Sequence, residues 1–252
     1  MRTLKLTVAY DGTDYVGWQR QLNGVSVQQV LEEAFAPLNQ GVAPTMAGAS
    51  RTDAGAHALG QVVSVNTELD LSVTSFLRAL NVRLPYDIRV LSVEDATPGF
   101  HARFHSVAKS YRYRIVTSPV MSPFDRAFAW HAPEPKQLSL MQAAAAVLVG
   151  RHDFASFQAR GAFVRETVRT IHRLELSETG SEIRLECEGD GFLRHMVRTI
   201  TGTLAEIGTG LRPVSAMRDI LHARDRRAAG ATAPASGLTL LRVSYDGVRP
   251  EV

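Results

Sequence analysis

Nine consecutive residues, Ala49-Ser50-Arg51-Thr52-Asp53-Ala54-Gly55-Ala56-His57, gather a carboxylate, a guanidinium, two hydroxyls and an imidazole among small neighbours. Small residues let another molecule come close to the backbone. Arg51 and Asp53 stand two apart, so an extended segment projects both to one side. A neighbouring guanidinium favours the negative carboxylate that a nucleophile or general base must present. The same letters also suit a polar loop closed by an Asp-Ala-Gly turn, because Asp and Gly are common in turns. A second cluster alternates along a strand. Lys109, Tyr111 and Tyr113 share one face, and Ser110, Arg112 and Arg114 share the other. Aromatics interleaved with cations can stack bases and hold phosphates. A strand with one core face and one solvated face reads the same way.

Metal chemistry finds little support. Cys187 is the only cysteine, so neither an internal disulfide nor a cysteine-built zinc site is possible. His101 and His105 are four apart, as zinc ligands on a helix can be, but no carboxylate accompanies them and a strand follows. Gly208-Thr209-Gly210 ends a helix instead of opening one after a strand, so it reads as a cap and not a nucleotide loop. Neither a P-loop nor a Gly-x-Ser-x-Gly elbow occurs.

The elements that must position these groups follow from periodicity. Leu4, Leu6, Val8 and Tyr10 alternate, which predicts a strand over 3–10. Ser26-Val27-Gln28-Gln29 has capping-box spacing, and the apolar residues from Val27 to Leu38 recur at helical intervals. Short strands are predicted near 45–49 and 61–67, a helix from Ser72 to about Asn81, and a strand over 87–95. That order is β-α-β-β-α-β, the ferredoxin-like split unit. The second half repeats it more loosely: strand 108–117, helix 137–149, strands 169–177 and 182–188, helix 193–207, a shorter helix 214–223 and strand 238–245. An insertion carrying Pro119, Pro123, Pro133 and Pro135 is predicted to lack regular structure. Residues 225–237, rich in Arg, Ala and Gly, read as a mobile loop. The fold class is therefore α+β, with two ferredoxin-like halves, 1–105 and 106–252. They would form a largely antiparallel mixed sheet with helices on one face and an open cleft on the other.

Charge divides unevenly between those halves. Residues 1–105 hold 8 basic and 10 acidic side chains, and residues 106–252 hold 20 and 15. Of the 28 basic residues, 25 are arginine, the side chain that grips phosphate bidentately and stacks on bases. Genome composition or heat adaptation can produce the same bias. The longest apolar run, Ala143 to Val149, is far too short to span a membrane. MRTLKLTVAYDG lacks a long apolar core followed by a small-residue cleavage site, so a secretory signal is not expected. These features predict a soluble protein of a reducing compartment, the cytoplasm, with no membrane partner.

Seven segments together resemble the bacterial TruA-type tRNA pseudouridine synthases: YDGTDYVGWQRQ (10–21), SVQQVLEEAF (26–35), ASRTDAGAHA (49–58), FHARFHSVAKSYRYRI (100–115), GRHDFASF (150–157), DGFLRHMVRTITGTLAEIGTG (190–210) and APASGLTLLRVSY (233–245). Tyr15 and Ala56 replace the family's frequent Phe and Val, and Arg194 stands where an aromatic is frequent. The resemblance implies the pseudouridine synthase fold. It also implies isomerisation of uridine at positions 38 to 40 of the tRNA anticodon arm, without cofactor or metal, by a homodimer. It makes Asp53 the catalytic carboxylate and associates Arg51 with extruding and replacing the target base. It makes Tyr111 the active-site tyrosine and places Arg198 along the same cleft.

Two other classes fit parts of the sequence. A non-catalytic RNA-binding module is one, because ferredoxin-like halves also describe the RRM, although KSYRYRI lacks the RRM signature. A two-carboxylate glycosidic-bond hydrolase is the other. It needs a second acid near Asp53, and Asp11 and Asp14 read as structural residues of a turn-like DGTD segment.

Overall fold

A computed structural model describes residues 1–161 and 166–245. Contacts divide the chain into two units: Met1–Val107 with the chain from Leu240 onward, and Ala108–Thr239. Sequence reading drew one boundary, near residue 105. The strand that closes the chain groups with the first unit because Leu241 O lies against Gly60, which has no Cβ to obstruct it. Tyr245 Oη also donates to Ala102 O at 2.7 Å. The last residues of the predicted second half, 246–252, lie outside the described residues.

The first unit has the predicted order: β1 (Arg2–Tyr10), α1 (Val27–Phe35), β2 (Met46–Gly48), β3 (His57–Thr67), α2 (Val73–Arg83) and β4 (Ile88–Ala96). β1 lies between β3 and β4, β2 pairs with β3, and all three pairings are antiparallel. This is the strand arrangement of a split βαβ unit. The alternation of β1 is real, since Leu4, Leu6, Val8 and Tyr10 are all buried. Ser26 caps α1, its hydroxyl accepting from Gln29 N at 3.2 Å. Phe35 stacks on Phe76 at 5.6 Å, so α1 and α2 share one side of the sheet. Each such fully buried ring or leucine contributes about 1.5–3 kcal/mol.

In the second unit β9 (Glu182–Gly189) lies between β5 (Ala108–Val116) and β8 (Val168–Thr179), antiparallel to both. A short β7 (Gly150–Asp153), not predicted, pairs antiparallel with β8. The Pro-rich insertion contributes one two-residue parallel strand, β6 (Trp130–His131), on β5. It is thus not wholly irregular, and the sheet is mixed. The helices are α3 (Leu138–Ala146), α4 (Met196–Gly208) and α5 (Ala216–Ala223), and the final strand β10 (Leu238–Ser244) begins in this unit. Helix α4 starts three residues later than predicted because His195 takes a left-handed backbone (φ 63°, ψ 4°) that no α-helix continues.

The mobile loop predicted at 225–237 is instead docked on α4. Gly230 N donates to Thr203 Oγ1 at 3.0 Å, Ala231 N to Glu206 Oε1 at 2.8 Å, and Ala233 N to Arg198 O at 3.1 Å. No helix among the described residues is long and apolar enough to cross a membrane.

Candidate active site

The 49–57 loop is fixed from both ends. Gln61 is fully buried, and its amide clamps one backbone residue. Its Oε1 accepts from Ser50 N at 3.1 Å, and its Nε2 donates to Ser50 O at 2.6 Å. Thr52 points inward, its hydroxyl 2.7 Å from Tyr10 Oη, and its carbonyl accepts from Trp18 N at 3.2 Å. With Thr52 buried between them, Arg51 is exposed and Asp53 half-buried. The Asp-Ala-Gly turn is also real. Ala56 N donates to Asp53 O at 3.1 Å, and Gly55 takes φ 77°. The turn is therefore what presents Asp53, and the two readings of these letters describe one object.

The 10–18 segment closes over this loop at two glycines. A Cβ on Gly12 would run into Ala56 O. Gly17, at φ 100°, would place one 2.7 Å from Thr52 O. His57 is buried, and its Nδ1 lies 3.1 Å from both Gly12 N and Asp11 Oδ1. With Nδ1 bare it accepts from Gly12; protonated, it donates to Asp11. Asp11 Oδ1 also accepts from Thr13 N at 3.0 Å. Asp11 is thus a structural residue, as predicted. His57 was named in the sequence as the imidazole of the cluster, whereas the supporting roles of Gly12, Gly17 and Gln61 were not foreseen. The YDGTDYVGWQRQ segment contains both glycines, and Gln61 falls in none of the seven segments.

Tyr111 and Arg198 stand in the second unit. Tyr111 is 5% exposed and meets Phe192 edge-on at 5.1 Å. Tyr113 is fully buried, and its hydroxyl donates to Pro234 O at 2.6 Å. Burial pushes its phenol above the usual range, and the nearby Arg198 charge opposes that shift. Arg198 Nε donates to Ala233 O at 2.8 Å.

The open stacking platform that the strand 108–117 allowed is corrected. Both tyrosines are buried, and the outward arginines hold carboxylates: Arg112 with Glu186, and Arg114 with Asp125 and Glu182. His101 and His105 cap a turn, His101 Nδ1 accepting from Arg103 N at 3.1 Å. Among the described residues there is no group of three His, Cys, Asp or Glu side chains that could hold a metal ion.

Comparison with known proteins places the chain in a family. A family profile described as tRNA pseudouridine synthase matches residues 6–105 and 144–246. Arg51, Asp53 and Arg198 fall inside the match, and Tyr111 falls between its two parts. A tRNA pseudouridine synthase A of Pelobacter propionicus is 44% identical over 97% of this chain and all of its own length. That of Syntrophotalea carbinolica is 43% identical over 97% of both chains. That of Halalkalibacterium halodurans is 44% identical over 94% of this chain and 90% of its own. The chain belongs to the tRNA pseudouridine synthase family.

Proposed function

We infer that this protein isomerises uridine to pseudouridine at positions 38, 39 and 40 of the tRNA anticodon stem-loop. It does so without cofactor or metal, as a cytoplasmic homodimer, with Asp53 as the catalytic carboxylate. Family membership supports uridine isomerisation on tRNA. The observation that carries the assignment to Asp53 is its presentation: a half-buried carboxylate in a loop whose backbone is held by Gln61 and Trp18 and whose Thr52 side chain is held by Tyr10. A catalytic group held in place needs little reorganisation at the moment of reaction.

In the reaction the N1–C1′ bond breaks, the base rotates, and a C5–C1′ bond forms. N1 gains a proton and C5 loses one, so the balance needs no redox partner and no net water. A charged carboxylate supplies the nucleophile or base. A paired uridine must first leave its stack, at a cost of a few kcal/mol. Arg51, exposed two residues before Asp53, is suited to filling the vacated place. Tyr111 and Arg198 bind the flipped nucleotide in this reading.

The test uses RNA tritiated at uridine C5. Wild-type protein releases tritium, and Asp53→Asn releases none while keeping its fold and RNA affinity. Release by Asp53→Asn at the wild-type rate removes Asp53 from the centre of the reaction. A wild-type protein that releases none from any anticodon arm removes the assignment to the anticodon arm.

A further inference from the structure

The second unit contains an open pocket of about 530 Å³ whose lining includes none of the four residues assigned to the reaction. Arg160, Arg194, Arg212, Arg226 and Arg227 line it, with Glu206 its one acid. One wall is the loop docked on α4. Ala231 O is seated against Gly202, where a Cβ would collide with it. The hydrogen bonds from Gly230 and Ala231 fix that seat to Thr203 and Glu206. On another wall Ala159 N donates to Arg194 O at 2.9 Å, which brings the exposed Arg160 and Arg194 together. A lining whose backbone is fixed at these points sets where its arginines emerge.

The five arginines are not equivalent. Glu206 Oε2 accepts from Arg212 Nε at 2.6 Å, and Arg212 Nη1 donates to Ala228 O at 2.8 Å. Arg227 pairs with Asp225 at 2.7 Å on the surface. Arg226 is held by neutral oxygens instead: Thr232 Oγ1 at 2.8 Å and Ala229 O at 3.3 Å. Burial and then the Arg160 charge push its guanidinium below the usual range, against the pull of Glu206. Neither of its two oxygen contacts carries a charge, so an arriving anion can supply one.

We propose that this pocket holds a backbone phosphodiester of the substrate RNA, with Arg226, Arg160 and Arg194 as its ligands. Guanidinium forks match phosphate oxygens two at a time. Apart from the His195 ring, the described lining offers no aromatic face on which a base could stack. A strand's phosphate fits it better than a free nucleotide does. The inference rests on the tRNA reading above and adds a site remote in sequence from Asp53.

The experiment measures tRNA affinity across salt for wild type, for Arg160→Gln with Arg194→Gln, and for Arg226→Gln. Both residues of the first variant are exposed, so it keeps the fold even if Arg226→Gln does not. Loss of one phosphate contact lowers the slope of log K against log salt by about 1. Affinity in low salt falls about 5- to 10-fold, and kcat/KM falls by the same factor. A double variant that still forms pseudouridine at the wild-type slope and affinity overturns the proposal. So does saturable binding of inorganic phosphate, lost in the variants, with the RNA slope unchanged, because the site would then serve free phosphate. Failure of the tRNA reading would show in the wild-type protein itself, as an absence of pseudouridine.

Discussion

The two docked loops, 49–57 in the first unit and 225–233 in the second, are built alike but differ in charge: the first balances Asp53 with Arg51, and the second carries two arginines against one aspartate. Each seats a carbonyl against a glycine, Ala56 O on Gly12 and Ala231 O on Gly202. Each is tied by a side chain that binds loop backbone, Gln61 at Ser50 and Glu206 at Ala231. Fixing a residue's backbone costs about 1–2 kcal/mol, so neither loop is held without these ties. The first loop carries one half-buried carboxylate beside the exposed Arg51 and is held mainly by neutral groups. The second is flanked by arginines, and its anchoring acid is already engaged with Arg212. On the functional reading proposed above, the same device serves two purposes: preparing a reacting group and fixing a field for a polyanion.

Gly12→Ala and Gly202→Ala break the two seats separately. In each the new methyl meets backbone, which cannot swing aside, so each loses about 2–3 kcal/mol of stability. The helix propensity gained at Gly202, about 1 kcal/mol, does not offset this. Thermal melts should show similar losses, while the functional defects differ. Gly12→Ala should lower kcat at saturating tRNA, and Gly202→Ala should weaken tRNA binding. A Gly202→Ala protein that loses kcat while keeping its affinity would merge the two regions into one role.

Much of this arrangement was legible in the sequence, and the remainder was hidden for one physical reason. The alternation of β1 and the capping at Ser26 are local patterns, and both were readable. The reactive letters of 49–57 were readable too, down to the turn. Their supports were not, because Tyr10–Thr52 and Gly12–His57 are contacts across more than forty residues. The 225–237 run looked mobile for the same reason. Its seat is made by Gly202, Thr203 and Glu206 on α4, far away in sequence, and Thr203 is a fully buried polar side chain that apolar periodicity overlooks. The alternating tyrosines and arginines of β5 fitted two readings, and only the partners Glu186, Glu182 and Asp125 decided between them.

The tyrosine pair sharpens the comparison within the second unit. Tyr113 Oη is engaged with Pro234 O, beside the docked loop, so Tyr113→Phe removes the hydrogen bond of a buried phenol and costs about 1 kcal/mol of stability. Its kcat should stay near wild type. Tyr111→Phe should reverse this, cutting kcat about 10²-fold with little change in melting, if its hydroxyl acts on the bound nucleotide. Equal loss of kcat in both variants would show that the wrong tyrosine had been chosen.

The smallest effect expected concerns carboxylates that pair with the arginines of β5 and β9. Glu182 accepts from Arg114 at 2.7 Å and pairs with Arg184, and these hydrogen bonds bring its carboxyl down to about 2. An unfolded glutamate titrates near about 4.3. The folded value is the lower one, so the pairing stabilises the protein above about pH 4.3 and that contribution is lost as pH falls towards 2. Allowing for solvent screening, the contribution is about 1 kcal/mol. Urea melts of Glu182→Gln should therefore lie below wild type at pH 7 and converge with it at acid pH. Affinity for tRNA should not fall, because removing this carboxylate adds positive charge to a surface where Arg114 is otherwise neutralised. A clear loss of affinity in Glu182→Gln would mean that the β5 arginines, and not those of the docked loop, carry the contact with RNA.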